Sequence, residues 1–335
     1  MSASFMSRSS ASARGKPRAE RAGAEPPGAE AFAALPTEAR HPASGDLDLR
    51  TPEDVVKLML DEEIGAVRAA RGRAAAIARA AALVAERLAA GGRLVYAGAG
   101  TSGRLGTLDA VECVPTFGIP PSRVAAVMAG GPGALTRSVE GAEDNARDAE
   151  ARLRRIAVGP TDAVCCIAAS GVTAFVRSAL EYARFRRAAT IFVTCGSPAG
   201  AADLADVVID VATGPEVIAG STRLKAGTAT KVVLNAISTT AFVMLGKTYA
   251  GLMVDVRPTN AKLWARATRI VSLLTGLEAG DARTLIEKAG GRAKVAIVMH
   301  HARVSAARAR DLLIQHKGAL RAIIGDVGPE GVAQP

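Results

Sequence analysis

Five short apolar runs, each set off by glycine or polar residues, most strongly limit what this chain can fold into. They cover residues 94–97, 124–128, 163–168, 190–194 and 207–211. Such short continuous apolar runs are typical of strands buried on both faces of a sheet. Helical patterns separate them, notably at 172–187 and 225–245. The alternation predicts an α/β fold with a doubly wound, parallel five-stranded sheet and helices on both faces.

Helices are predicted on both sides of this pattern. Thr51 is a good N-cap, because Pro52 suits a first turn and Asp54 suits the positive end of a helix dipole. Helices should fill the chain from there to residue 90. Beyond residue 276 no strand pattern is found, and short helices are predicted at 281–289, 293–301 and 305–315. We therefore expect a main domain at 37–275 and a small C-terminal helical subdomain at 276–335.

The first 36 residues differ from all that follows. They are rich in Ser, Ala, Arg, Gly and Pro and show little periodicity, so they cannot bury enough apolar surface to order themselves. Their Arg and Ser content is similar to that of a transit peptide, but Glu20, Glu25 and Glu30 argue against one, and the apolar core of a secretory signal is missing. We predict a disordered tail at residues 1–36.

Composition excludes several classes of protein. Of the 335 residues, 49% are hydrophobic but only 3% are aromatic, which is typical of an α/β core of small and branched side chains. The net charge of +10 is scattered, and few aromatic rings could stack on bases, so a nucleic-acid partner is not expected. The apolar stretch at 232–245 is too short and too often interrupted to span a bilayer.

The cysteines indicate a reducing compartment. Cys113, Cys165, Cys166 and Cys195 lack the C-x-x-C spacing of metal and redox motifs. Two of them lie inside an apolar run, where cysteine behaves as a small hydrophobic residue. We expect a cytoplasmic protein without a metal or another cofactor.

The first candidate site is a glycine-rich loop at residues 98–104, where the first strand turns into a helix. It contains G-x-G-x-x-G, the dinucleotide fingerprint, which is weak by itself. The following strand ends without the acidic residue that would hold a ribose. The hydroxyls of Thr101 and Ser102, together with helix N-terminal amides, suit a phosphate monoester instead.

A second hydroxyl-bearing loop follows the third strand, where Ser170 and Thr173 precede a helix. Both loops lie at the carboxyl ends of parallel strands, so they should converge on one crevice. The plain alternative is that each hydroxyl only caps its helix. The pair of loops favours a bound phosphate more strongly than either loop alone.

Five segments carry a resemblance to a known family. They lie at 98–106, 108–113, 139–144, 168–173 and 214–228, of which the last is long and ungapped. With them the chain resembles the N-acetylmuramic acid 6-phosphate etherases, which have the sugar-isomerase (SIS) fold, from residue 37 to residue 324. The resemblance implies a flavodoxin-like SIS domain and an enzyme of cell-wall sugar recycling that releases D-lactate and leaves N-acetylglucosamine 6-phosphate. It also implies a homodimer with sites near the subunit interface.

The resemblance assigns the chemistry to two glutamates, Glu112 and Glu143. A base must remove the weakly acidic proton on carbon 2, and an acid must protonate the poor alkoxide leaving group on carbon 3. We assign Glu112 as the acid and Glu143 as the base. Glu140 and Asp144 are expected to be surface carboxylates, although like-charge repulsion should raise the pKa of Glu143.

The resemblance also implies a set of substrate-binding residues. Phosphate binding is expected from Ser102, Ser170 and Thr173, with Thr101 and Arg104 in the first loop, and the sugar pocket from Glu216, Ser221 and Lys225. Lys225 has a plain explanation as well, since cations at a helix start are ordinary when solvated. Val111 and Val172 depart from the Ser and Arg that the family leads us to expect, which affects the rim of the pocket and not the two glutamates.

Two other functions stay open at this point. An aldose-ketose isomerase of the same fold would also bind a sugar phosphate and remove a proton from carbon 2, but it would need no leaving-group acid. A sugar-phosphate sensor without activity is the other, because the glucokinase regulatory protein resembles these etherases. That regulator has two SIS modules, whereas this chain has room for one.

Overall fold

The computed structural model describes residues 35–198 and 201–326. The tail predicted at residues 1–36 lies outside the described residues except for its last two, of which Leu35 is buried. Within the described part of the chain, no helix is both long enough and apolar enough to cross a membrane.

A parallel five-stranded sheet forms the centre of the described chain, as the apolar runs predict. Its strands are β1 (Leu94–Gly98), β2 (Val124–Met128), β3 (Ala163–Ala168), β4 (Ala189–Thr194) and β5 (Val207–Asp210). They lie in the order β2-β1-β3-β4-β5, the doubly wound order of flavodoxin-like folds. The predicted strands agree with these bounds to within about one residue, because glycine and polar residues end each apolar run.

Alternate residues of β1 point into two separate cores. Leu94 and Tyr96 belong to the core on one face, and Val95 and Ala97 to the core on the other. The first core is covered by α1 (Pro52–Gly72), α2 (Ala74–Ala89), α3 (Gly100–Phe117) and α6 (Lys225–Met244). The second is covered by α4 (Ala146–Arg155) and α5 (Ala174–Phe185). Helices on both faces confirm the doubly wound architecture.

Local sequence explains where two of these helices begin. Thr51 Oγ1 accepts a hydrogen bond from the Asp54 amide at 3.2 Å, so Thr51 caps α1 as expected. The helix predicted from residue 172 begins later, at Ala174, because Thr173 is extended and occupies the N-cap position.

The C-terminal part consists of helices, as predicted. They are α7 (Ala261–Thr275), α8 (Ala279–Lys288), α9 (Ala293–Ala302), α10 (Ala306–Gln315) and α11 (Arg321–Ile324). Ile270, Ile286 and Ile297 belong to their common core, which is separate from the two cores of the sheet. The boundary at residue 276 stays a prediction, and α7, on its N-terminal side, shares this core.

Candidate active site

The first loop of the site joins β1 to α3. A Cβ at Gly103 would lie 2.6 Å from the carbonyl oxygen of Gly98, so glycine is what allows α3 to start this close to the strand. Ala99, which has no side-chain oxygen, occupies the N-cap position. Ser102 is buried in the first turn and Thr101 is half-buried. The loop therefore presents amides and hydroxyls, not a capping carboxylate.

The second loop joins β3 to α5 and lies beside the first, because β1 and β3 pair with Gly98 opposite Ile167. Neighbouring strands lie roughly 4.8 Å apart, so the structure brings the two loops together at one edge of the sheet. Thr173 is the N-cap of α5, yet its side chain makes no capping hydrogen bond within the described residues. Helix capping therefore does not account for the hydroxyl of Thr173, which lies at the same edge of the sheet as Ser170.

A third loop, at residues 214–224, leads from β5 into α6. A Cβ at Gly227 would lie 3.7 Å from Thr101 Cγ2, so the start of α6 lies against the first loop. Ser221 is half-buried just before this helix. The most specific motif of the sequence is thus next to the glycine-rich loop, although 110 or more residues separate them in the chain.

Glu216 and Lys225 make contacts that the sequence does not predict. The buried carboxylate of Glu216 accepts the amides of Lys225 at 3.1 Å and Ala226 at 3.0 Å, and so caps α6. Burial raises the pKa of Glu216 against the opposing effect of these two amides. The buried ammonium of Lys225 pairs with Glu62 of α1, and His41 Nε2 lies 3.1 Å from the other Glu62 oxygen. Sugar contacts by Glu216 and Lys225 stay predictions.

Sequence reasoning missed Glu62 and His41 as neighbours of the site. Glu62 lies 163 residues from Lys225 in the chain, and no local pattern separates it from the other acidic residues of α1. Burial works to raise the pKa of Glu62, but hydrogen bonds with Lys225 and His41 outweigh burial and lower it. The carboxylate therefore stays ionised and holds both partners.

Glu143 lies between β2 and α4, in a loop that starts at the same sheet edge. Its side chain is exposed in the single turn Ala142–Asp144, yet the surrounding protein removes part of its hydration. This desolvation raises the pKa of Glu143, and the charge of Asp144 raises it further. The rise in the pKa of Glu143 has the predicted direction, but burial is its larger cause. Of Glu140 and Asp144, the two acids considered from the sequence, Asp144 is the one that contributes.

Glu112 lies on α3, well away from this edge. It follows Ser102 by ten residues, which corresponds to roughly 15 Å along a helix axis. Its side chain is exposed, and so are those of Leu108 at 49% and Val111 at 60%. The structure thus brings Glu143 to the edge that carries Ser102 and leaves Glu112 outside it.

Arg104 points from α3 toward the loop that carries Glu143. Its guanidinium donates to the carbonyl oxygens of Ala134 at 2.8 Å, Leu135 at 3.2 Å and Arg137 at 3.2 Å. The structure shows these hydrogen bonds from Arg104 to the protein, whereas its contact with the substrate stays a prediction.

A parallel sheet in this order, with hydroxyl-bearing loops at the ends of two paired strands, defines an α/β domain of the sugar-isomerase (SIS) type. The family model of the glucokinase regulatory protein N-terminal SIS domain matches residues 76–184. The N-acetylmuramic acid 6-phosphate etherase of Rubrobacter xylanophilus is 48% identical over 297 residues, covering 89% of this chain and 98% of that protein. The chain belongs to the N-acetylmuramic acid 6-phosphate etherase family.

A second curated relative gives the same assignment. The N-acetylmuramic acid 6-phosphate etherase of Mycolicibacterium smegmatis is 47% identical and covers 88% of this chain and 99% of that protein. Among solved structures, a phosphoheptose isomerase from Neisseria gonorrhoeae is 20% identical, covers 56% of this chain and 98% of that chain, and has a TM-score of 0.43. The two etherases, at 48% and 47% identity, confirm the resemblance seen in the sequence.

Proposed function

We propose that this chain is a cytoplasmic N-acetylmuramic acid 6-phosphate etherase, a carbon-oxygen lyase that releases D-lactate and leaves N-acetylglucosamine 6-phosphate. The observation that carries the proposal is the 48% identity over 89% of the chain to an etherase of that name. A place in cell-wall sugar recycling is what the resemblance to these etherases implies. The four cysteines are free and buried, which suits a reducing compartment.

The phosphate would bind between the first two loops. Ser102, Ser170 and Thr173 would donate hydroxyl hydrogen bonds, joined by Thr101 and by amides of the first turn of α3. Hydrogen bonds to a charged phosphate are about twice as strong as neutral ones. The adjacency of the two loops and the uncommitted role of Thr173 support this assignment.

The sugar would then extend toward the third loop. Ser221 would contact it there, while Glu216 would shape the pocket by fixing the first turn of α6. An ammonium has three donors, so Lys225 can hold Glu62 and a sugar oxygen together. Because Lys225 is buried and already paired, it would act from the wall of the pocket.

The two glutamates would meet across a homodimer. The distance along α3 places Glu112 outside its own crevice, and exposed apolar side chains accompany it. A further exposed apolar stripe runs along α1 with spacings of three and four residues; it comprises Val56, Leu60, Ile64 and Val67. Contiguous exposed apolar surface marks protein interfaces. In the dimer that we propose, Glu112 of each subunit completes the crevice of the other.

The reaction would run by elimination followed by hydration. Ring opening exposes an aldehyde at carbon 1, which makes the proton on carbon 2 removable, and Glu143 takes that proton to form an enolate. The electron pair then forms the double bond between carbons 2 and 3 as the bond from carbon 3 to the lactyl oxygen breaks, and Glu112 gives this oxygen its proton.

Hydration would reverse both proton transfers. Glu112, now ionised, removes a proton from water as the oxygen bonds to carbon 3, and Glu143 returns its proton to carbon 2. The net change is hydrolysis of the ether by one water. Each carboxyl group would accelerate the reaction by a factor of about 10² to 10⁴. The raised pKa of Glu143 suits a base, because a higher pKa strengthens its pull on a weakly acidic proton.

The test is to incubate the purified protein with N-acetylmuramic acid 6-phosphate in heavy-oxygen water and to measure D-lactate and the labelled position. Elimination and hydration place the label on carbon 3 of the amino sugar. A label on the lactate instead means displacement at the lactyl carbon. Conversion of a sugar phosphate to its ketose without lactate points to the isomerase, and binding without turnover points to the sensor.

A further inference from the structure

The guanidinium of Arg104 is part of the glycine-rich loop region, but the proposed chemistry gives it no step. It is half-buried, and it donates to three main-chain carbonyl oxygens at residues 134, 135 and 137. A guanidinium has five N–H donors in a fixed fork. Its three hydrogen bonds use Nε and Nη2, so the Nε–Nη2 edge of the fork is not available to grip a phosphate in two-point fashion.

The segment held by Arg104 is packed directly against the turn that carries Glu143. Gly130 begins the loop with a φ of +76°, and a Cβ there would lie 3.2 Å from the Ala134 Cβ and 3.3 Å from the Ala142 Cβ. One of these alanines is bonded to Arg104, and the other precedes Glu143. The segment bonded to Arg104 and the turn of Glu143 therefore both lie against the same glycine, with little room between them for a side chain at position 130.

The opposite side of the loop is held separately. Asp148 of α4 accepts the Gly130 amide at 3.4 Å and Arg152 Nε at 2.7 Å. Arg104 and Asp148 thus fix the loop from two different helices. Of the two, Arg104 is the one on the helix that also carries Ser102.

We propose that Arg104 is a positioning residue that ties the phosphate-binding turn of α3 to the loop of Glu143 and so fixes the distance between bound phosphate and base. The inference rests on the proposed function of Glu143 and deepens it, because it gives Arg104 a task other than contact with the substrate. Misplacing a reacting group by about 1 Å can cost about 100-fold in rate, so the tie matters for turnover even though Arg104 touches no reacting atom.

The kinetic test compares Arg104→Met, which removes every donor, with Arg104→Lys, which keeps the charge but loses the fork. In both variants kcat falls about 10- to 100-fold, while the Kd of N-acetylglucosamine 6-phosphate, measured by calorimetry, changes less than about 3-fold. The acid limb of kcat/KM moves to lower pH, because a loosened loop returns water to Glu143. A Kd raised tenfold or more in Arg104→Met, with rescue by Arg104→Lys, overturns the proposal in favour of a phosphate ligand.

A second measurement does not depend on activity. Amide hydrogen exchange at residues 130–145 rises in Arg104→Met and stays unchanged in Arg147→Ala, a control that removes an exposed arginine from α4. Unchanged exchange in Arg104→Met overturns the positioning role whatever the enzyme does. Raised exchange in a protein that releases no lactate overturns the proposed function and leaves the tie between Arg104 and the loop intact.

Discussion

The loops proposed to bind phosphate and the glutamates proposed to do chemistry are built in opposite ways. In the loops, glycines allow contacts that no side chain would permit, as at Gly103 and Gly171, and Ser102 is buried. Glu112 and Glu143 are both exposed, one on an open helix face and one in a surface loop. The proposed binding half of the site is built from loops of one chain, whereas the proposed catalytic half depends on a positioned loop and, in the proposed dimer, on a second subunit.

The largest effect is expected at the two glutamates. Glu143→Gln and Glu112→Gln should each lower kcat about 10²- to 10⁴-fold, because each removes one proton-transfer group. KM should change little, since the phosphate loops stay intact. Steady-state kinetics of D-lactate release measure both parameters, and full activity in both variants would contradict the two-carboxyl mechanism.

Mixing the two inactive variants sharpens this prediction into a test of the shared site. If the two glutamates of one site come from different subunits, half of the randomly mixed dimers are hybrids and each hybrid keeps one intact site. Activity should then return to about a quarter of the wild-type value after unfolding and refolding the mixture. If both glutamates served the crevice of their own subunit, one site of the hybrid would lack Glu112 and the other would lack Glu143. Activity would then not return.

A glycine-to-alanine substitution in each region compares the packing of the phosphate-binding loops with that of the Glu143 loop. Gly171 has a φ of +86°, and a Cβ there would lie 2.0 Å from the Ser197 carbonyl oxygen. Gly141 has a φ of +67°, but a Cβ there would have no heavy atom within 4 Å among the described residues. Gly171→Ala should therefore lower the free energy of unfolding by about 3 kcal/mol, and Gly141→Ala by about 1 kcal/mol.

Urea unfolding of the two glycine variants, with midpoints and slopes compared with the wild type, measures this difference. Equal losses at the two positions would mean that the close approach of Gly171 to Ser197 does not limit the second loop. Tighter packing would then no longer distinguish the phosphate-binding loops from the loop of Glu143.

The position of the loops that form the proposed binding half could be predicted from the sequence, whereas phosphate binding by their residues stays a prediction. Gly98, Ser102 and Thr173 lie at the ends of apolar runs, and a parallel sheet brings the ends of its strands to one edge whatever the rest of the chain does. The strand bounds and the adjacency of the two loops follow from such local patterns.

The remaining features depend on contacts that have no local signal. The pairing of Glu62 with Lys225 spans 163 residues and requires α1 to pack on α6, which no spacing in the sequence predicts. The bonds from Arg104 to main-chain carbonyls leave no trace in the residue types at 134–137. The family resemblance identifies Glu112, but its position relative to Ser102 becomes visible only once α3 has a defined start and direction.

A smaller kinetic effect is expected from the hydroxyls of the two loops. Ser102→Ala and Ser170→Ala should each raise KM about 10- to 100-fold, since a hydrogen bond to a charged group contributes about 1.5 to 3 kcal/mol. Inorganic phosphate should lose affinity as a competitive inhibitor in the same proportion. Ser138→Ala, an exposed serine in the loop of Glu143, is the matched control and should leave KM unchanged; an equal rise there would remove the distinction between the two halves.

The smallest effect is expected in the pH dependence of the catalytic half. As the proposed base, Glu143 must be ionised, and its pKa is raised first by burial and then by Asp144. On acidification the enzyme should therefore lose kcat/KM at a higher pH than an ordinary glutamate, with a pKa of about 4.3, would dictate. Asp144→Asn removes the neighbouring negative charge, lowers the pKa of Glu143 and shifts the acid limb to lower pH, by less than about one unit because burial is the larger cause.

Glu140→Gln provides the matched control for Asp144→Asn, because Glu140 is an equally exposed acid in the same loop but Asp144 is the charge that acts on Glu143. Profiles of kcat/KM from about pH 4 to about pH 8 should shift for Asp144→Asn and coincide with the wild type for Glu140→Gln. If the acid limb of the kcat/KM profile moves equally in both variants, the overall negative charge of the loop, and not Asp144 in particular, sets the pKa of the base. A limb that moves in neither would mean that a group other than Glu143 controls the acid side of the profile, and the base would have to be sought elsewhere at the rim of the crevice.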